Sequence, residues 1–254
     1  MIYLRWAEQI AQVALVFYLF GSGLWSRYRW FGVLLSAATI RAVALMNLDF
    51  HSVSYATLWA QTEPALILLQ LLTVTEAAAS VLDDYPKIGA LGRRVVAVAL
   101  IGGTVISGAS IFYGSERPIG EPVFVDAVVR AWRWSACACL AAALLLFAWI
   151  SVFPVSSRPN VKRHLMLLIG FIGIGQGTLA FLLRSQLSEQ TIDVMITGGE
   201  VIEILCLTAW PFFVTKSGEV RSPVKLRLLR EGQEDEYERT MDAFRRGMNT
   251  LKEE

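Results

Sequence analysis

The sequence predicts an all-α fold: seven membrane-spanning helices, the N-terminus outside, and a charged C-terminal tail in the cytoplasm. Three observations predict it. First, 55% of the 254 residues are hydrophobic and 18% are charged, where a soluble domain carries about 25% charge. Second, apolar runs recur at 8–25, 31–48, 58–82, 95–113, 124–154, 165–183 and 194–215. Each reaches or approaches the roughly 20 residues that a spanning helix needs. Third, basic residues alternate in density between the connections. Arg27, Arg29, Lys87, Arg93, Arg94, Arg158, Lys162 and Arg163 fall on one side, against Arg5, Arg117 and Arg184 on the other. The richer side is cytoplasmic by the positive-inside bias. The location that follows is the inner or plasma membrane, crossed several times.

Taken in order, the first run is not a signal peptide, because "MIYLRWAEQ" has no basic opening and no small-residue cleavage site follows. With orientation set, Trp25, Trp30, Trp149 and Trp210 fall near the inner boundary, and Trp6 and Trp59 near the outer one, as an aromatic belt. The second run carries Arg41 seven residues from its outer end, and the third carries Glu63 five residues from its own. Glu63 precedes Pro64, a pairing that also suits a first helical turn at the interface. Glu76, near the inner end of the third run, has no evident partner and is expected to snorkel. "DDY" (83–85) reads as a solvated turn, and "LIGG" (100–103) in the fourth run as packing.

The fifth run carries Asp126, Arg130 and Arg133, and the seventh carries Glu200 and Glu203 in "TGGEVIEIL". A charge facing lipid costs about 2.5–3.5 kcal/mol at a helix centre. Both i, i+3 pairs present one helix face, so Glu200 and Glu203 are expected to turn inward and meet Arg41, Arg130 or Arg133. Arg41, Glu63, Asp126, Arg130, Arg133, Glu200 and Glu203 thus form a candidate polar cluster in the outer half. It admits two readings: ion pairs that fix helix register, or a pocket open to the outer face. In the sixth run, Gly173 and Gly177 have the small-xxx-small spacing of close helix contacts.

Residues 216–254 form the second part of the chain, a tail with nine basic and nine acidic residues. Within it a helix is expected over about 234–252. Tyr237, Met241, Phe244, Met248 and Leu251 line one stripe of that helix, which would meet the membrane domain, a second copy or a cytoplasmic protein.

The spanning part resembles the small seven-helix integral membrane proteins of bacteria. The resemblance rests on "WAQTEPALILL", "DDYPKIGALGRR" and the glycine-rich sixth run. It implies a fold and a place in the bacterial inner membrane, and it brings no activity or site.

Several function classes are disfavoured. The five lysines, at 87, 162, 216, 225 and 252, lie outside the runs or at their flanks, so none is placed to hold retinal. His51 and His164 lie at opposite ends, which removes bis-histidine haem and leaves zinc without a ligand set. Cys137, Cys139 and Cys206 lie inside apolar runs and read as small core residues. No cofactor is therefore expected, and no catalytic motif is present. A net charge of +1 gives no argument for nucleic acid. What remains is a sensor or signalling protein with an outer pocket, or a transporter of a small solute, ion or proton through the same charges.

Overall fold

A computed structural model describes residues 2–49, 52–82, 123–152, 158–174 and 189–220. They form six helices and no strand: α1 (Ile2–Gly21), α2 (Arg29–Met46), α3 (Val53–Leu82), α4 (Val123–Val152), α5 (Pro159–Ile169) and α6 (Glu189–Phe213). A π-helical turn, Gly170–Ile174, continues α5, and a 3-10 turn, Lys216–Glu219, follows α6. The fourth apolar run, "DDY", Gly177 and the tail with its 234–252 stripe lie outside the described residues. Among the described residues two helices, α2 and α3, are long and apolar enough to cross a membrane.

The helices pack as a ring. Each of α1 to α5 packs against the next in chain order, and α6 closes back on both α5 and α1. Antiparallel order follows from the short links. Gly21 ends α1, and Gly23, at φ +74, makes the reversal that a side chain would strain. Trp25 then folds back to stack on Phe20, its ring 4.0 Å away. It also lies so close to Gly32 that a Cβ there would fall 2.3 Å from the indole. Ser52 opens α3 as an N-cap, its hydroxyl accepting the Tyr55 N–H at 3.1 Å. Pro159 opens α5 at a position where a missing N–H costs nothing.

Two boundaries differ from expectation. α1 begins at Ile2 rather than 8, because Glu8, Gln9 and Gln12 belong to its inward face. α3 begins at Val53, so Pro64 lies well inside it and Glu63 is an interior residue rather than an interfacial one. Close helix contact is achieved at Gly170, where a Cβ would sit 2.5 Å from Cys206 Sγ. Cys137, Cys139 and Cys206 are free thiols; Cys139 is buried in the core, while Cys137 and Cys206 are half-buried.

Apolar side chains cover the outside of the helices as well as forming the core. Tyr3, Trp6, Ile10, Val13, Phe17 and Phe20 recur at spacings of 3 and 4 along α1 and all are exposed, Tyr3 at 89% and Phe17 at 72%. On α6, Val194, Val201, Leu205 and Phe212 are exposed in the same manner. Meanwhile Gln9, Gln12, Glu63, Gln70, Asn160, His164 and Glu203 are buried. Between the two ends of the ring lies an apolar layer of Leu15, Leu19, Leu35 and Leu207, all at most 1% exposed.

Candidate functional site

Polar residues gather at both ends of the ring. At one end α1, α2, α3 and α6 leave a cleft of about 540 Å³. α1 contributes Trp6, Glu8, Gln9 and Gln12; α2 contributes Arg41; α3 contributes Tyr55 and Trp59; α6 contributes Glu200. Helical periodicity explains α1's part: Glu8 and Gln12 are four apart, on the side opposite the exposed Ile10–Val13–Phe17 stripe. Gln12 Nε2 donates to Glu8 Oε1 at 2.7 Å, and Gln12 Oε1 accepts from Thr39 Oγ1 at 2.9 Å. That chain of bonds holds α1 to α2 at the cleft floor.

Arg41 finds a carboxylate, but it is Glu63 of α3, whose side chain is 3% exposed. Its ion pair is thus with α3, and the side chains of Arg130 and Arg133, the other expected partners of Glu200 and Glu203, lie outside the described residues. Glu200 shares the cleft with Arg41, while Glu203, buried one turn further along α6, feels the like charges of Glu8 and Glu200. Asp126, Arg130 and Arg133 lie on the first eleven residues of α4, and their side chains are outside the described residues. Of the cleft's buried polar atoms, two have no hydrogen-bond partner among the described residues: Gln9 Oε1 and Glu200 Oε2. Both are acceptors. Gln9 is itself only 7% exposed.

The opposite end holds a clasp that sequence reasoning missed. Asn160, completely buried at the start of α5, donates from Nδ2 to the Thr215 carbonyl (2.7 Å) and to Glu219 Oε1 (2.6 Å). Its Oδ1 accepts the Thr215 N–H at 3.3 Å. Tyr28 donates to the same Glu219 oxygen at 2.5 Å, and Arg27 lies 3.6 Å from its other oxygen. Burial first, and then the Glu219 carboxylate, push the Tyr28 phenol above its ordinary pKa. Tyr18 donates to the Val214 carbonyl at 3.0 Å. Every bond in this group grips the chain where it leaves α6.

Beside the clasp, His164 stands in an aromatic cage of Tyr28, Phe31 and Trp210, with ring centroids 4.6, 5.4 and 5.4 Å away. Among the described residues neither imidazole nitrogen has a partner, and burial drives its pKa down to about 3. Trp210, expected in an interfacial belt, is instead a wall of this cage and 1% exposed. Glu76 does not snorkel. Its carboxylate accepts the Arg29 N–H at 3.0 Å and the Trp30 N–H at 3.1 Å. It thereby caps the first turn of α2 from a neighbouring helix, where free amides and the helix dipole favour an anion.

Among the described residues no group of His, Cys, Asp and Glu side chains is arranged to hold a metal ion. Comparisons with protein families, curated proteins and solved structures give no match. The site must be read from its geometry.

Proposed function

We propose that the chain is a seven-helix membrane protein of the sensor or signalling type. Its N-terminus lies outside, it binds a small ligand in the outer cleft, and it passes the event to the cytoplasmic tail, 216–254. The apolar outer surface supports the membrane setting: an exposed apolar stripe from Tyr3 to Phe20 extends about 26 Å at 1.5 Å per residue, close to the roughly 30 Å hydrocarbon thickness. A seventh helix is supported by direction. Arg158, just after α4, donates to the Ser80 carbonyl at the end of α3, and Lys162 lies over Phe147 near the end of α4. These contacts make α3 and α4 parallel neighbours. The chain between Leu82 and Val123 must then return along the bundle, and the apolar run 95–113 falls there.

One observation carries the functional reading. Two of the helices lining the cleft, α1 and α6, are also gripped at the far end by the clasp, through Tyr18 on α1 and through Val214 and Thr215 just past α6. α1 supplies Gln9 and Tyr18; α6 supplies Glu200 and then Val214 and Thr215. A ligand that shifts α1 against α6 in the cleft acts directly on the base of the tail. The stripe of Tyr237, Met241, Phe244, Met248 and Leu251 is then the output surface, for a second copy or a cytoplasmic protein. The transporter reading needs polar groups joining the two ends; Leu15, Leu19, Leu35 and Leu207 lie between them, with Gln70 and Thr73 of α3 the buried polar side chains at that depth among the described residues.

The test uses the full chain in nanodiscs. Glu200→Gln and Gln9→Leu should each change the rate of tryptic cleavage within 221–254, and a reporter fused at Lys216 should respond as cytoplasmic. Unchanged cleavage in both variants would remove the coupling. A solute or proton flux in proteoliposomes that Glu200→Gln abolishes, with tail cleavage unaltered, would replace sensing by transport.

A further inference from the structure

We infer that the cleft recognises a protonated organic amine. This rests on the reading of the cleft as a ligand site and adds the chemical class of its ligand. Charge comes first. Among the described residues the cleft wall carries Glu200, whose Oε2 has no hydrogen-bond partner, and Arg41. Arg41 is already matched by Glu63, so its charge is not on offer to an anion. The charge left for a ligand at this wall is the Glu200 carboxylate.

Hydrogen-bonding capacity points the same way. Gln12 is satisfied on both sides by Glu8 and Thr39. The two cleft atoms left open, Gln9 Oε1 and Glu200 Oε2, are acceptors on buried or half-buried side chains. An occupant must bring N–H or O–H donors, which excludes carboxylates and phosphates. A buried acceptor left unmatched costs free energy, so donors are selected against analogues lacking them.

Shape completes the class. Trp6, Tyr55 and Trp59 supply aromatic faces to the cleft, and such faces attract cations and pack on aliphatic or aryl carbons. A bare metal ion would waste these walls and finds no ligand set among the described residues. A volume of about 540 Å³ sits within the ordinary range for small-molecule sites, roughly 300–1,000 Å³. A primary amine carrying a hydrocarbon body satisfies all three requirements. A quaternary ammonium satisfies the charge and the aromatic faces but has no N–H for Gln9.

The experiment follows thermal unfolding of the detergent-solubilised full chain during titration with phenethylammonium chloride. Tetramethylammonium chloride, sodium chloride and sodium phenylacetate at equal ionic strength are the comparisons. Saturable stabilisation by phenethylammonium alone is expected. Glu200→Gln and Gln9→Leu, each removing one acceptor, should weaken its apparent Kd about tenfold or more. Trp59→Leu, which leaves every charge in place, should also weaken it.

Equal shifts with all four salts would overturn the proposal, as would stabilisation by phenylacetate or an unchanged Kd in both acceptor variants. The outcome is separable from that of the sensing reading. If no amine binds but Glu200→Gln still alters tail cleavage, the ligand class is wrong and the coupling stands. If the amine saturates without changing tail cleavage, the ligand class holds and the coupling falls.

Discussion

The Arg41–Glu63 pair makes an asymmetric prediction. The two partners differ in solvation: the Glu63 side chain is 3% exposed, whereas that of Arg41 is 22% exposed and borders the cleft. Removing one member of a buried pair costs about 3–5 kcal/mol when the other is stranded without water. Arg41→Gln strands the deeper charge and should approach that loss. Glu63→Gln strands a guanidinium that water can reach from the cleft, and should cost less, about 1–3 kcal/mol by the same reasoning discounted for solvation. The double variant should recover part of the summed loss, because residues in contact couple by about 0.5–3 kcal/mol. Equilibrium unfolding of the solubilised full chain in mixed micelles measures all three. Glu200→Gln is the built-in contrast. It removes one of three neighbouring carboxylates, Glu8, Glu200 and Glu203, so it should be neutral or stabilising and additive with Arg41→Gln. Strictly additive losses at Arg41 and Glu63, or coupling between Arg41 and Glu200, would refute the assignment of partners.

Two further outcomes follow from the clasp end. His164 lies one residue outside the apolar run 165–183; it is neutral in the fold, with its pKa lowered to about 3 from 6.5. The unfolded chain therefore binds the extra proton between these values, and stability should fall as pH drops below 6.5. The loss is about 2 kcal/mol at pH 5, at about 1.36 kcal/mol per unit. His164→Gln should flatten that dependence, and a variant as acid-sensitive as the parent would show that another group dominates. Gly218→Ala would place a Cβ 2.0 Å from Asn160 Oδ1, displacing the side chain that holds Thr215 and Glu219. A loss of about 1–3 kcal/mol and faster proteolysis around 216–221 are expected, while Gly21→Ala, with no atom within 4 Å of its Cβ, should be silent on both measures.

Helix content was legible because apolar runs report length directly, and depth was legible because rise per residue is constant. Arg41, Glu63 and Glu200 were accordingly placed at one level before any contact was known. Their partners were not legible, since depth leaves rotation about each helix axis open; Arg41 turned to α3 rather than α6. Glu76 was misread for a different reason. Its partners are the backbone amides of Arg29 and Trp30, and an amide carries no residue-type signature. The clasp joins Tyr28 to Glu219 and Asn160 to Thr215, 191 and 55 residues apart, and spacing alone reports neither. A signal did exist in α1: Glu8 and Gln12 oppose the Ile10–Val13–Phe17 stripe, with Gln9 at its flank, and a polar face opposite an apolar one marks the side turned inward.

The separation of the two polar ends constrains how they can communicate. Leu15 and Leu19 on α1, Leu35 on α2 and Leu207 on α6 are buried between them, so along α1 and α6 an apolar stretch lies between Gln12 and Tyr18 and between Glu200 and Thr215. Coupling must then be carried by the helices moving as bodies. A packed apolar layer suits that role, because it transmits displacement with little compression. The clasp suits it at the other end. Glu219 is held by Tyr28 and Arg27 of the α1–α2 link and by Asn160 of α5, so a shift of α1 or α2 relative to α5 changes several bonds together. A ligand can bias such a pair of arrangements only by the difference in its affinity for them. The open acceptors, Gln9 on α1 and Glu200 on α6, supply that difference: a ligand bridging both is bound best where the two helices stand closest.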